Sequence, residues 1–298
     1  MKIAITGSPG FIGTALVPSL TAAGHQVLRL VRSEQQRAPD TIDWNPATSY
    51  VDTPALEGIE AVIHLAGEQI SGRWTPQKKR KILVSRTQGT HLLAEALGQL
   101  RQPPQVMVCA SAIGFYGDRG EEWLQEDSPP GSGFLAEVCQ QWEAASEPAA
   151  KKGIRVVRLR TGIVLSPKGG ALAQMLPPFR MGVGGVIGPG TQYMSWIALD
   201  DLIGAYQHAL ATTSLKGPVN AVAPNPVSNR EFVKTLGKAL SRPAVFPMPS
   251  LAVRLAFGEM GVQLLLASAR VRPARLRSSG YAFRYPVLES ALRHLLDS

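Results

Sequence analysis

Only two cysteines, Cys109 and Cys139, occur in 298 residues. Two thiols cannot build a disulfide framework or a cysteine-rich zinc site. Both sit in apolar runs, VMVC and LAEVC, so buried free thiols in a reducing compartment are expected. No histidine, cysteine or carboxylate cluster has metal-ligand spacing, and no metal is expected. Long apolar runs are also missing, since none reaches the roughly 18 residues of a membrane span. Leu251 to Ala267 comes nearest, and Arg254 and Glu259 interrupt it. The apolar N-terminal stretch is broken by Gly7, Pro9, Gly10 and Gly13, unlike a secretory signal, and a cytoplasmic protein is expected.

Acidic residues are the scarcer charge, 22 against 31 lysines and arginines, for a net charge of +9. Such an excess suits nucleic acid, a membrane surface or a phosphate-rich cofactor. The basic residues gather at Lys78-Lys79-Arg80-Lys81 and at Arg270, Arg272, Arg275 and Arg277. Neither cluster interleaves aromatic residues in sequence, as a single-strand stacking platform would. Solvated basic faces are expected, with neither nucleic acid nor membrane as a partner.

What is present is an ordinary globular balance, 45% apolar and 18% charged. Short apolar runs at 2–6, 27–31, 61–66, 106–110 and 154–159 read as buried strands. Helical periodicity fills the gaps between them: 11–23, where Pro18 should kink the helix and Gly24 cap it, then 80–100 and 142–152. Strand–helix alternation predicts an α/β fold, a Rossmann-type doubly wound parallel sheet. After residue 165, Pro177-Pro178 and the glycines at 182, 184, 185, 188 and 190 predict a long loop-rich region. Helices return at 200–212 and 229–240, Pro243 to Pro249 reads as a linker, and the rest is helical and basic. The expected organisation is a dinucleotide-binding domain over 1–168, to which about 191–223 returns. A smaller, mostly α lobe takes 169–190 and 224–298.

The most informative segment is Thr6-Gly7-Ser8-Pro9-Gly10-Phe11-Ile12-Gly13, between the first strand and the first helix. There Gly7 permits the turn, Gly10 lets backbone approach a pyrophosphate, and Gly13 allows close helix–strand packing. Gly7, Gly10, Phe11, Ile12 and Gly13 are therefore candidate cofactor-binding residues, at a helix N-terminus that attracts phosphate. No Gly-Lys-Ser/Thr follows, so a mononucleotide P-loop is not indicated. The second strand ends Leu30-Val31-Arg32-Ser33. An acidic residue at that end suits NAD(H), whereas Arg32 suits the 2′-phosphate of NADP(H). NADP(H) is favoured, with Glu34 keeping NAD(H) open.

Gly7-x-x-Gly10-x-x-Gly13, His64-Leu65-Ala66-Gly67 and Ser111-Ala112-Ile113-Gly114-Phe115-Tyr116-Gly117 together resemble the extended short-chain dehydrogenase/reductases. Within them the chain is similar to the atypical "epimerase family" branch. Asp43-Trp44-Asn45-Pro46, Gly169-Gly170-Ala171-Leu172, Gly184-Gly185-Val186-Ile187-Gly188 and Ser195-Trp196-Ile197-Ala198 carry the same likeness. The resemblance implies that Leu65 and Ala66 line the adenosine side of the cofactor, and that Arg86 stands where it can reach a cofactor phosphate. His64 reads as a packed core histidine. The resemblance also implies a Tyr-x-x-x-Lys pair for proton transfer. The corresponding region reads Gly133-Phe134-Leu135-Ala136-Glu137-Val138-Cys139, with neither residue.

Candidate proton donors are then Ser111, Tyr116 and Glu137; Glu137 with Glu143 reads either as an acid/base pair or as a solvated helix face. Two functions remain in view. One is an NADP(H)-dependent epimerase, dehydratase or reductase acting on a small molecule with a nonstandard proton donor. The other is an NADPH-binding sensor or interaction module without turnover. A homodimer is compatible with either.

Overall fold

A computed structural model describes residues 1–32 and 38–297. In chain order the strands are β1 (Lys2–Thr6), β2 (Gln26–Val31), β3 (Thr41–Asn45), β4 (Tyr50–Val51), β5 (Ala61–His64), β6 (Val106–Ala112) and β7 (Trp123–Leu124). They continue as β8 (Arg155–Thr161), β9 (Ile163–Ser166), β10 (Tyr193–Met194), β11 (Trp196–Ala198), β12 (Gly217–Ala221), β13 (Val227–Ser228) and β14 (Arg270–Val271). The helices are α1 (Phe11–Ala22), α2 (Pro76–Gly98), α3 (Phe134–Ala144), α4 (Glu147–Lys151) and α5 (Gly170–Arg180). They continue as α6 (Leu199–Ala211), α7 (Asn229–Ala239), α8 (Ser250–Gly261), α9 (Ala274–Ser278) and α10 (Leu288–Leu296).

Eight strands form one sheet in the order β12-β8-β6-β5-β1-β2-β3-β4, parallel throughout except where β4 runs back along β3. The chain leaves β1 towards β2 and β3 on one side, then returns to β5, β6, β8 and β12 on the other. That reversal beside β1 opens a crevice at the carboxyl ends of β1 and β5, where ligands of such sheets bind. Both faces are apolar, because helices cover both. On one, Ile3 and Ile5 pack with Leu16 and Leu20 of α1 and Tyr206 of α6. On the other, Ala4 and Val62 pack with Leu93 and Leu97 of α2. A separate core joins Leu172, Leu176 and Phe179 of α5 to Phe232 of α7 and Leu292 of α10.

The α/β architecture and its parallel sheet agree with the sequence pattern, and the departures have local causes. The expected loop after residue 165 contains α5, whose Leu172, Leu176 and Phe179 form a buried stripe. Its prolines fall in the last turn, where Pro177 is exposed and few hydrogen bonds remain to lose. α1 runs through Pro18 as a single helix, and Gly24 takes a φ of +81° just beyond its end. The helix expected over 142–152 is two helices, broken at Ser146. The Ser146 hydroxyl donates to the Glu143 carbonyl at 2.7 Å and accepts Arg158 Nε at 2.8 Å. Asp43-Trp44-Asn45, noted only as a family signature, lies in β3 with Trp44 buried. α2 starts earlier than its apolar stripe, at Pro76, because the Thr75 hydroxyl accepts the Lys78 amide as an N-cap. β5 stops at His64, so Leu65 and Ala66 leave the sheet at the carboxyl end, beside the crevice.

The C-terminal segment is pinned to the sheet through a fully buried carboxylate. Asp201 of α6 accepts the Arg284 amide at 2.7 Å and the Tyr285 amide at 2.9 Å, while the Tyr281 hydroxyl donates to its carbonyl at 2.7 Å. Asp201→Ala strands both amides and is expected to cost about 3 kcal/mol, read as a lowered urea midpoint. A loss below about 0.5 kcal/mol would show that the clasp contributes nothing net.

Candidate functional site

The crevice is built first by glycines. Gly7 turns the chain with a φ of +71°, and a Cβ there would sit 2.9 Å from the Ala66 amide nitrogen and the Leu65 carbonyl carbon. The loop closes with the Gly10 amide donating to the Gly7 carbonyl at 3.0 Å. At Gly13 a Cβ would lie 2.4 Å from that same carbonyl oxygen, so only glycine lets α1 start this close. The first intrahelical bond runs from the Thr14 amide to the Gly10 carbonyl at 2.9 Å. The amides of Phe11, Ile12 and Gly13 precede it, α1 has no side-chain cap, and no acid occupies its first turn. Such an end attracts an anion through its amides and its dipole together.

Sequence reasoning missed the device that holds Leu65 and Ala66 against this loop. The Thr6 hydroxyl oxygen accepts the Leu65 amide at 3.1 Å and the Ala66 amide at 3.2 Å. With both lone pairs occupied, its proton goes to His64 Nδ1, 2.8 Å away. The imidazole is then the Nε2–H tautomer, donating to Thr90 Oγ1 at 2.9 Å. His64 is fully buried, and burial holds its pKa down at about 4. The packed-core expectation agrees with this, and the residue also positions the crevice. Its sequence signal was a threonine at the end of the first strand, too common a residue to read.

Phe11 leans the other way. Cβ atoms added at Gly169 and Gly170 would fall 2.5 Å and 3.0 Å from its ring, so this glycine pair admits the ring between the loop and α5. Arg32 is exposed directly after β2. Ser33 and Glu34, which bear on the NAD alternative, lie outside the described residues. Arg86 is no free surface arginine: Nη1 donates to the Glu68 carbonyl at 2.9 Å, and the guanidinium lies 4.9 Å from the Trp142 ring.

Ser111 and Tyr116 do come together, through partners the sequence did not pair. Ser111 Oγ donates to Glu143 Oε1 at 2.8 Å, and Glu143 takes both Nε and Nη2 of Arg160 at 2.7 and 2.9 Å. Arg160 Nη1 donates to the Tyr116 oxygen at 3.0 Å, which lies 2.7 Å from Asn220 Oδ1. Contrary to the sequence expectation, Tyr116 is not placed to donate a proton to a substrate. It is fully buried, its oxygen is enclosed by these partners and the Gln125 carbonyl, and burial pushes its pKa up rather than down. Glu137 and Glu143 do not form an acid/base pair, since Glu137 is exposed while Glu143 faces inward to Arg160. Six residues apart on α3, the two point to different sides. Phe134 and Val138 form an apolar wall with Trp74. Burial pushes both cysteine thiols up to about 12, which suits inert core residues.

A model described as the NAD dependent epimerase/dehydratase family matches residues 3–222. The chain belongs to that family. A second model, a domain of unknown function (DUF1731), matches residues 248–295. The epimerase family protein MT2273 of Mycobacterium tuberculosis is 42% identical over 294 residues, covering 97% of this chain and 96% of that protein. Among solved structures, the human epimerase family protein SDR39U1 with NADPH superposes with a TM-score of 0.91 at 36% identity, covering 100% of each chain. A mutant UDP-glucuronic acid 4-epimerase from Bacillus cereus, at 19% identity and a TM-score of 0.80 over 100% of this chain and 98% of its own, shares the fold. Within this family's crevice, the neutral state of His64 carries a pH signature. An unfolded histidine takes a proton below its usual 6.5, whereas folded His64 resists until about 4. The contribution is complete above 6.5 and declines as pH falls to 4, by up to about 3 kcal/mol. Denaturation curves should show stability rising with pH across this window, with a shallower rise in His64→Gln. An unchanged slope in that variant would place the proton uptake elsewhere.

Proposed function

We propose that this chain binds NADP(H) and uses it to oxidise or reduce a small molecule at a carbinol or carbonyl carbon, as an epimerase, dehydratase or reductase. The observation that carries the reading is the uncapped N-terminus of α1, reached by the tight Gly7–Gly13 turn and flanked by Leu65 and Ala66. In this reading Gly7, Gly10, Phe11, Ile12 and Gly13 hold the pyrophosphate, and Leu65 and Ala66 flank the adenosine side. The residues present fit that group: free amides, no acid in the first turn, and no room for a Cβ on Gly7 or Gly13. Arg32, exposed where the second strand ends, favours the 2′-phosphate of NADP(H), and the human relative holds NADPH in its crystal structure. Arg86 is assigned to orienting Gly67 and Glu68 beside the cofactor, with its charge directed towards the phosphates.

When bound, the nicotinamide supplies or accepts the hydride. Proton handling falls to this chain's own residues. In this reading the stretch Gly133 to Cys139, with neither tyrosine nor lysine, gives α3 an apolar wall of Phe134 and Val138 instead. Ser111 is the polar group left on β6 near the crevice. Its proton points at Glu143, so its oxygen presents a lone pair and suits a substrate hydroxyl that donates to it. Glu143, fixed by Arg160, sets that orientation. The apolar wall equally suits a cofactor-binding sensor without turnover, and NADPH consumption in the presence of carbonyl substrates separates the two readings.

NADPH at about a hundred times its dissociation constant should stabilise the protein by about 2.7 kcal/mol in a thermal shift, with NADH giving less. Arg32→Asp should weaken NADPH by about 10- to 100-fold and leave NADH within about threefold, as for one lost charge-assisted contact. Equal losses for both cofactors would remove the 2′-phosphate role. Ser111→Ala should retain the NADPH shift yet lose turnover by about 100-fold or more. Full turnover in that variant would assign proton transfer to another group.

A further inference from the structure

Ten large apolar side chains are exposed among the described residues, and seven of them fall in just two stretches, 181–183 and 245–255. The fold joins these stretches. The Phe246 amide donates to the Gly184 carbonyl at 3.2 Å, the Met248 amide to the Val186 carbonyl at 2.8 Å, and Arg242 Nε to the Arg180 carbonyl at 3.2 Å. Met181, Val183, Val245 and Phe246 therefore stand out from one short ribbon, more than half exposed. α8 follows directly. Its Val253 is fully buried, and Leu251 and Leu255, two residues to either side, lie on the opposite face of the helix. They are 68% and 74% exposed, so the outer face of α8 is apolar and unpartnered. Pro243, Pro247 and Pro249 stiffen the connection, which lowers the cost of holding these side chains outward.

Beside the ribbon lies a cleft of about 310 Å³ whose charged lining is cationic only: Arg230, Lys234, Lys238 and Arg242. The first three repeat every four residues along α7, an arrangement of like charges that costs helix stability unless anions offset it. Lys238 meets Glu289 at 3.0 Å from outside the lining, and Lys234 has no ion-pair partner among the described residues. Exposed Arg180 and Arg254 extend the positive rim around the apolar tips.

We infer that this face docks on the surface of an anionic phospholipid bilayer. The apolar tips enter the interface, and the cations meet headgroup phosphates, as in peripheral proteins. No helix among the described residues is long and apolar enough to cross a membrane, so the contact is peripheral. The sequence reading excluded a membrane partner on the lack of a span and the solvated character of the basic clusters, and neither reason reaches an interfacial face assembled from separate segments. A second copy of this chain is disfavoured as occupant, because a two-fold contact sets one cationic rim against its own image.

The test is flotation of the full-length protein with phosphatidylcholine vesicles, with and without about 30% phosphatidylserine. Binding should be about tenfold or more stronger on the anionic vesicles, and should fall about tenfold from about 0.1 M to about 0.5 M salt. Phe246→Glu with Leu255→Glu should abolish it, and Lys234→Glu with Arg242→Glu should lower it by more than tenfold, about fivefold for each lost cation. Tyr50→Glu, which changes an exposed aromatic on the far edge strand β4, should leave it unchanged. Thermal melts of all three variants should match the parent, which separates docking from folding. Binding to neither vesicle, equal binding to both, or indifference to the first two variants would overturn the proposal. So would binding of inorganic phosphate without vesicle association, or a dimer that Phe246→Glu dissociates while vesicles are ignored.

Discussion

The Thr6 hydroxyl has two lone pairs and one proton, and each has a separate partner: the Leu65 amide, the Ala66 amide and His64 Nδ1. That saturation fixes the imidazole tautomer, which in turn fixes the donor to Thr90 on α2. Three strands' worth of crevice geometry follow from it. Leu65 and Ala66 are drawn out of β5 towards β1, close enough that Gly7 admits no Cβ. Gly7, so placed, leaves its carbonyl where only a glycine at position 13 lets α1 begin. Buried polar networks of this kind are stabilising only when every member is satisfied, and here each one is.

The second constraint is the ion pair beneath Ser111. Glu143 and Arg160 are both nearly inaccessible, with side chains 10% and 4% exposed. Burying two charges is costly, and fork-to-fork hydrogen bonding offsets that cost only with good geometry. The geometry is good: Arg160 meets Glu143 through two bonds, Tyr116 through a third, and stacks over the Phe115 ring at 3.4 Å. The pair ties α3, β8 and the turn after β6 into one unit, with Ser111 at its edge. Tyr116, with its hydroxyl enclosed, belongs to this scaffold and not to proton transfer.

Much of this was legible in sequence. Strands β1, β2, β5, β6 and β8 were apolar runs, and the glycine loop declared its place between β1 and α1. What escaped were features that depend on long-range partners. α5 was hidden because its prolines and the glycines after it outweighed a stripe of only three apolar residues, Leu172, Leu176 and Phe179. Thr6 and Arg160 were unremarkable letters, and Glu143 was read only with Glu137, until the fold brought 6 beside 64 and 143 beside 160. The basic clusters were read as solvated faces, yet Arg270 and Arg272 lie over the Trp123 ring at 3.9 and 3.8 Å. The aromatic partner there comes from a strand almost 150 residues away, which no local pattern reveals.

The Phe11 ring packs against Gly169 and Gly170, and this contact links the glycine loop after β1 to the start of α5. A ring at the first position of α1 cannot shift without disturbing the start of α5, because Gly169 and Gly170 leave only ring-sized space. Gly170, with a φ of +69°, further restricts how that junction can move. In the proposed function, a ligand on the amides of Phe11 and Ile12 sits on the same residue that packs against the start of α5. α5 in turn shares its core with α7 and α10, so the glycine loop abuts a core that extends to the C-terminal helix.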